Sequence, residues 1–217
     1  MGVFGNPITD ETLEGLPRYE GKKTILAIDR ARVALNWKNA EGKDVRALQY
    51  AENFKATCGV ETATLCLVYN ATGDTVEYAG HKDWHGCLGS APYPIMIENG
   101  QWGVFLHRQS GKSGSGSIGA VVYRGTNAKN ESCDWMLAWN NPKDKDNYGN
   151  HACTEIREEN HFNNDGTWKI VHDLLWKSSV ERKGESNGCL SFVTIGNDDY
   201  SIFRAILTLK NANKSTR

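Results

Sequence analysis

The sequence predicts a mainly β fold, a single antiparallel β-sandwich flanked by two short α-helices. About nine short runs alternate apolar and polar residues with a period of two, which is typical of strands that bury one face. Only two segments have clear helical spacing, too few to connect parallel strands in succession. The chain also carries 22 Gly and only 5 Pro, as expected for many tight turns between short strands.

The composition indicates one globular domain and argues against several classes of protein. The chain has 217 residues, 39% of them hydrophobic, and its 7 Trp can contribute to a real core. Lys and Arg total 25 against 26 Asp and Glu. We therefore expect no nucleic-acid partner, because such a surface needs an excess of positive charge. The sequence contains no recognisable transmembrane segment or secretory signal, so a cytoplasmic location is expected.

The first 60 residues predict an arm, a strand and a helix. Residues 1–24 mix turn formers with charges, which indicates a loose N-terminal arm. Within residues 25–37, the alternation of Val33, Leu35 and Trp37 predicts a strand entering the sheet. Residues 43–57 combine good helix formers, an apolar stripe and a closing Gly59, and they predict the first helix.

From residue 62 onward, period-two runs dominate, and they are interrupted by one helix. The second helix is predicted over residues 168–177, where Trp168, Val171 and Leu175 share one face. Residues 81–93, rich in Gly and Pro, are predicted to form a loop. The sandwich domain then spans residues 25–210, and residues 211–217 form a flexible tail. The predicted strands cover residues 62–70, 75–78, 95–97, 102–107, 118–123, 133–139, 152–157, 189–195 and 201–209.

The same patterns predict which side chains are buried. The cysteines are expected to be free thiols, because a chain of this size without a secretory signal needs no disulfide framework. The predicted core residues are Leu65, Leu67, Val122, Leu137, Val171, Leu175, Phe203, Leu207 and Leu209. Of the six cysteines (Cys58, Cys66, Cys87, Cys133, Cys153 and Cys189), all but Cys58 and Cys87 lie in strand-like runs.

Catalytic and metal-binding signals are weak. His81, His85 and Cys87 are potential metal ligands, but no second ligand pair at finger-like spacing completes a tetrahedral set. A Ser or Cys beside a His and a carboxylate is available by number alone, and no nucleophile-elbow sequence singles one out. We therefore expect no metal, no cofactor and no catalytic residue, so the protein is predicted not to be an enzyme.

Two aromatic residues of the predicted 81–93 loop are candidates for binding. Trp84 and Tyr93 lie among Gly and Pro residues, where a ring does not easily reach the core. Such rings suit a sugar, a choline group or a membrane headgroup region. The alternative is that the loop folds back and Trp84 closes one end of the sandwich. The sequence leaves both interpretations open.

Several runs of residues closely resemble the small jasmonate-induced proteins of plants, the 23 kDa family. The likeness covers roughly residues 24–209, and DWHG together with CDWMLAW is quite specific. Membership implies a stress or defence protein induced by jasmonate, without implying a biochemical activity. The runs are LCLVYNATGDT (65–75), KDWHG (82–86), PYPIMIENGQWGVFLH (92–107), GAVVYRG (119–125), CDWMLAWNNP (133–142) and TEIRE (154–158).

A fainter likeness, in layout more than in residues, is to actinoporin-like β-sandwiches, including the fungal lipid binder nakanori. That resemblance implies two packed sheets, two flanking helices and recognition of sphingolipid or sterol membranes. The GAV run at residues 119–121 and Pro142 fit the pattern. Residues 143–146 alternate in charge where the pattern has an aromatic loop. Charges are costly to insert into hydrocarbon, so the departure predicts peripheral binding rather than a pore.

Together these observations predict a ligand site at one end of the sandwich, where the 81–93 and 142–148 loops meet. Trp84, His85, Tyr93 and Tyr148 are its candidate residues, and a lipid headgroup or a glycan is its expected ligand. Two alternatives stay open: a hydrolase or nuclease whose site is unplaced, and a module that binds another protein through a sheet edge.

Overall fold

The computed structural model of this protein describes residues 2–111 and 114–214. Within these residues the chain forms twelve β-strands and four α-helices. The helices are α1 (Asp10–Glu14), α2 (Ala27–Asn36), α3 (Lys43–Asn53) and α4 (Asp165–Trp176). The strands are β1 (Val3–Phe4), β2 (Ala63–Ala71), β3 (Val76–His85), β4 (Cys87–Leu88), β5 (Met96–Ile97), β6 (Trp102–Arg108), β7 (Gly116–Thr126), β8 (Ser132–Pro142), β9 (His151–Glu158), β10 (Glu181–Ser186), β11 (Cys189–Ile195) and β12 (Tyr200–Leu209).

Two sheets pack face to face, as the predicted sandwich requires. Sheet A has the order β1-β6-β2-β12-β11-β10, with β4 also paired to β6, and sheet B has the order β5-β3-β7-β8-β9. Among the described residues, the strand pairs within the sheets are antiparallel except β2 with β12, which run parallel with Ala63 opposite Tyr200. The fold class is confirmed, with this one parallel pair added.

The apolar side chains form three packed regions. The central one fills the space between the sheets and includes Trp135, Trp139 and Phe203. A second joins α1, α2 and α3 to the outer face of sheet A, and a third packs α4 against the outer face of sheet B. All nine predicted core residues are buried, and α3 and α4 are the two helices that the sequence predicted.

The strand predicted for residues 25–37 is wrong, because this segment is helix α2. The side chain of Asp29 accepts a hydrogen bond from the backbone N–H of Leu26 at 3.0 Å and so caps the first turn. Ala31 and Ala34, three positions apart, are fully buried among the core residues. Alanines give only a weak apolar stripe. The chance alternation of the larger residues Val33, Leu35 and Trp37 therefore suggested a strand.

The predicted loose N-terminal arm is instead packed against sheet A. Strand β1 pairs with β6, and Ile8, Leu13 and Tyr19 are buried. The side chain of Asn99 donates to the carbonyl of Ile8 at 2.9 Å, while the Ile8 N–H donates to the Asn99 carbonyl at 2.8 Å. At the other end of the chain, Ala212 is buried, and residues 215–217 of the predicted tail lie outside the described residues.

The predicted loop over residues 81–93 is also corrected, because β3 continues through His85 and β4 follows. Register shifts after Tyr78 and after Asp83 let this polar strand follow β7. Gly86, with φ of 101°, then turns the chain so close to β6 that a Cβ there would lie 2.6 Å from the Arg108 carbonyl oxygen. This turn places His85 at the very end of β3.

The cysteines occupy two environments. Cys66, Cys133, Cys153 and Cys189 are buried in β2, β8, β9 and β11, while Cys58 and Cys87 are partly exposed. Burial raises the pKa of the Cys153 thiol to about 11. The four buried thiols therefore act as small apolar side chains in the core.

Candidate functional site

A cavity of about 630 Å³ opens at the end of the sandwich where β3 ends, β7 begins and β8 ends. We call it the end cavity. Its lining comes from His85 of β3, Ser115 and Ile118 around the start of β7, residues 142–144 and Tyr148 after β8, and Trp176 of α4. The volume is within the usual range for sites that bind small molecules.

Two aromatic rings form one wall of the end cavity. Helix α4 packs on sheet B through Trp168, Val171 and Leu175, and this leaves Trp176 in its last turn facing the loop after β8. The ring centroids of Trp176 and Tyr148 lie 5.6 Å apart at an angle of 69°. Tyr148 is 50% exposed and Trp176 is partly buried, so the pair offers ring surface at the rim.

The aromatic wall continues across α4 to β3. The Trp84 ring lies 5.0 Å from the ring of His172 and 6.2 Å from that of Trp168. The indole N–H of Trp176 donates to His172 Nε2 at 3.0 Å, and the His151 ring lies 6.0 Å from Trp176. Burial lowers the pKa of both His172 and His151, so both rings are neutral at neutral pH.

The loop that carries Tyr148 is held in place by a lysine directed into the protein. Lys145 Nζ donates to the Pro142 carbonyl at 3.0 Å and to Asn150 Oδ1 at 3.1 Å, and it also donates to the side chain of Asn141. The Asn150 amide in turn donates to the hydroxyl of Ser201 at 2.7 Å. These bonds anchor the loop to sheet A and direct the Lys145 ammonium group into the protein.

The structure brings some of the predicted site residues together and separates one. His85 and Tyr148 both line the end cavity. Trp84 precedes His85 in strand β3 and so does not lie in a loop. Its ring is half-buried against Trp168 and His172. Its position therefore resembles the structural alternative, a ring that covers the end of sheet B.

Tyr93 lies apart from the other three residues. Its ring stacks on Tyr78 at 5.3 Å and packs 4.7 Å from Phe105 of the central core. Burial raises the pKa of its hydroxyl, which has no hydrogen-bond partner among the described residues. Tyr93 is thus a packing residue at the edge of the core. It does not line the end cavity, so the prediction that grouped it with the other three residues is corrected.

The sequence reasoning missed Trp176. The helix predicted over residues 168–177 was recognised by its buried stripe of Trp168, Val171 and Leu175, and Trp176 lies outside that stripe. A large aromatic residue beyond the buried face, in the last turn of a helix, was the available signal. Such a residue needs another surface to cover its ring, and here that surface is the loop after β8.

A Ser, His and Asp arrangement does occur, but inside the sandwich. His107 Nδ1 lies 2.8 Å from Ser117 Oγ, and His107 Nε2 lies 3.2 Å from Asp83 Oδ1. Ser117 and His107 are both 0% exposed, and Thr64 Oγ1 lies 2.7 Å from Ser117 Oγ. Thr64 and His107 belong to sheet A, whereas Ser117 and Asp83 belong to sheet B. The arrangement is a polar bridge between the sheets, closed to a substrate.

No group of three His, Cys, Asp or Glu side chains within the described part of the chain is placed to hold a metal ion. No helix among the described residues has the length and apolar character needed to cross a bilayer.

Fold and site define a helix-flanked β-sandwich with an aromatic-walled cavity at one end. The chain belongs to the family described as Nakanori-like protein, whose model matches residues 4–210. Over 94% of this chain and 98% of the other, it superimposes on the crystal structure of the lipid binding protein Nakanori with a TM-score of 0.85 and 26% identity.

Sequence relatives agree with the other resemblance. The chain is 42% identical over 197 residues to the 23 kDa jasmonate-induced protein of Hordeum vulgare, covering 90% of this chain and 91% of that one. It is 32% identical over 92 residues to a jasmonate-induced protein homolog of Atriplex canescens, covering 42% of this chain and 49% of that one. Both resemblances predicted from the sequence are confirmed.

Proposed function

We propose that this protein is a non-enzymatic, jasmonate-responsive protein that binds a lipid headgroup peripherally at the end cavity. The observation that carries the proposal is the Tyr148 and Trp176 ring pair, placed beside His85 at the rim of an open cavity. The jasmonate-induced relatives and the lipid binding structural neighbour support it. We further propose that the protein acts in the cytoplasm, where its six cysteines stay reduced.

The residues of the end cavity match the chemistry of a headgroup. A quaternary ammonium group or a sugar ring packs on the faces of Tyr148 and Trp176, and each cation–π contact contributes about 0.5–2 kcal/mol. His85 is exposed and donates to a phosphate or hydroxyl oxygen. Lys143 also lines the rim, where its Nζ forms an ion pair with Glu61 Oε2 at 2.7 Å, so the two side chains together add no net charge.

Binding at the headgroup level follows from the composition of the rim. The loop after β8 presents Lys143, Asp144 and Asp146 close to Tyr148, and charged groups stay in water rather than enter hydrocarbon. One partly exposed tyrosine is a small anchor. We therefore expect reversible binding that depends on headgroup chemistry.

Vesicle co-sedimentation tests this proposal. Wild-type protein is mixed with vesicles of phosphatidylcholine alone, with sphingomyelin and cholesterol added, and with an anionic lipid added. Tyr148→Ala should weaken the binding by about 2- to 30-fold, the loss of one ring contact. Tyr148→Phe retains the ring and should bind like wild type.

The matched control lies at the opposite end of the molecule. Ile95 is 76% exposed, and its carbonyl accepts a hydrogen bond from the backbone N–H of Tyr78 in β3. Tyr78 precedes His85 by seven residues, roughly 23 Å at about 3.3 Å per residue. Ile95→Ser should leave vesicle binding unchanged. Failure of folded wild-type protein to bind any composition, or equal loss in the Ile95 and Tyr148 variants, would overturn the proposal. Binding of free glycans without vesicles would redirect it to a sugar ligand.

A further inference from the structure

One hydrogen bond at the end cavity depends on the protonation of a histidine. The indole N–H of Trp176 is a donor only, and it donates to His172 Nε2 at 3.0 Å. His172 Nε2 therefore carries no proton, and the neutral ring has its proton on Nδ1. If Nε2 were protonated, its N–H would face the indole N–H of Trp176, and two donors cannot form a hydrogen bond with each other.

The surroundings of His172 favour the neutral form. Its ring is partly buried beside Trp84, and burial lowers its pKa below the ordinary 6.5, helped by His85 of β3 and opposed by Asp173 of its own helix. On the far side of Trp176 stand Tyr148 of the loop and His151 of β9, whose pKa is also lowered by burial. Because folding lowers this pKa, the contact is intact above pH 6.5 and is lost as the pH falls through the folded-state pKa, which lies below 6.5.

We propose that His172 and Trp176 form an acid-released latch on the wall of the end cavity. With His172 neutral, the hydrogen bond holds the indole against α4. With His172 protonated, the indole is released toward the rim and a positive charge appears beside the cavity. The latch stands on this geometry alone, and its consequence for membranes rests on the proposed headgroup binding.

The consequence is stronger binding to anionic membranes in acid. A released Trp176 is free to insert its indole at the interfacial level, where tryptophan is favoured. Each positive charge gained near an anionic surface strengthens binding by about fivefold. His172 gains a positive charge as the pH falls, so the response should begin below pH 6.5.

The latch is tested first without lipid. The indole ¹H–¹⁵N resonances of wild-type protein are followed from pH 7.5 to pH 5, and Trp176→Phe identifies the Trp176 signal. We expect that signal to shift with a midpoint below 6.5. The Trp135 indole, fully buried in the central core, should stay constant and serves as the internal control. His172→Gln keeps an acceptor oxygen that does not titrate, so it should abolish the shift.

The second test adds vesicles that contain anionic lipid, at pH 7.5 and pH 5.5. Wild-type protein should bind more tightly at pH 5.5, and His172→Gln should lose about fivefold of that gain. A Trp176 signal that moves no more than that of Trp135, or that still titrates in His172→Gln, would overturn the latch. A titrating indole in a protein that binds no vesicle at either pH would support the latch and overturn headgroup binding.

Discussion

The hydroxyl of Ser117 joins the two sheets, and removing it should cost stability rather than activity. In the structure Ser117 Oγ lies 2.7 Å from Thr64 Oγ1 and 2.8 Å from His107 Nδ1, and it donates to the His107 carbonyl at 3.1 Å. Ser117→Ala leaves the Thr64 hydroxyl and His107 Nδ1 buried without these partners. An unsatisfied buried polar group costs about 1–3 kcal/mol, so the two together should lower the free energy of unfolding by about 2–6 kcal/mol.

Urea unfolding followed by tryptophan fluorescence measures this loss. The double variant Thr64→Val with Ser117→Ala removes the stranded hydroxyl of Thr64, and it should recover about 1–3 kcal/mol relative to Ser117→Ala alone. An unchanged free energy of unfolding in Ser117→Ala would refute the bridge. A hydrolytic activity in wild-type protein that Ser117→Ala abolishes would instead make Ser117 a nucleophile.

Two further predictions concern the core and the thiols. Phe203 is fully buried against Trp139, so Phe203→Ala should lower the free energy of unfolding by about 3–5 kcal/mol in the same urea assay, and a loss below 1 kcal/mol would contradict the assigned central core. Alkylation followed by mass spectrometry should modify Cys58 and Cys87 first in the native protein and all six cysteines after unfolding without reductant. Fewer than six modified thiols would reveal a disulfide and a different cellular compartment.

Much of the fold was predictable because burial imposes a period on each element. The strands that carry Leu65, Leu137 and Phe203 each place apolar residues at alternate positions toward a core, and α4 places Val171 and Leu175 on one face. The elements that the sequence did not predict correctly are those that do not bury large apolar side chains at regular spacing. Helix α2 packs through alanines, and β10 (Glu181–Ser186) has no apolar residue because it is an edge strand.

The site was predictable only in part, through the layout that the actinoporin-like resemblance implied. His85 and Tyr148 follow from the ends of β3 and β8, which both flank β7. Trp176 reaches the cavity from α4, a helix that local periodicity does not orient relative to the loop after β8. Tyr93 was misplaced because its ring packs between Tyr78 of sheet B and Phe105 of sheet A. No local sequence pattern encodes these contacts.

The central claim, that membranes meet the end cavity, is tested most directly by hydrogen–deuterium exchange with and without vesicles of phosphatidylcholine, sphingomyelin and cholesterol. We predict slower exchange on vesicle addition in residues 142–150 and in the last turn of α4, which carry Tyr148 and Trp176. Residues 126–131, at the opposite end of β7, should exchange at an unchanged rate. Protection at residues 126–131 without protection at 142–150 would contradict the claim.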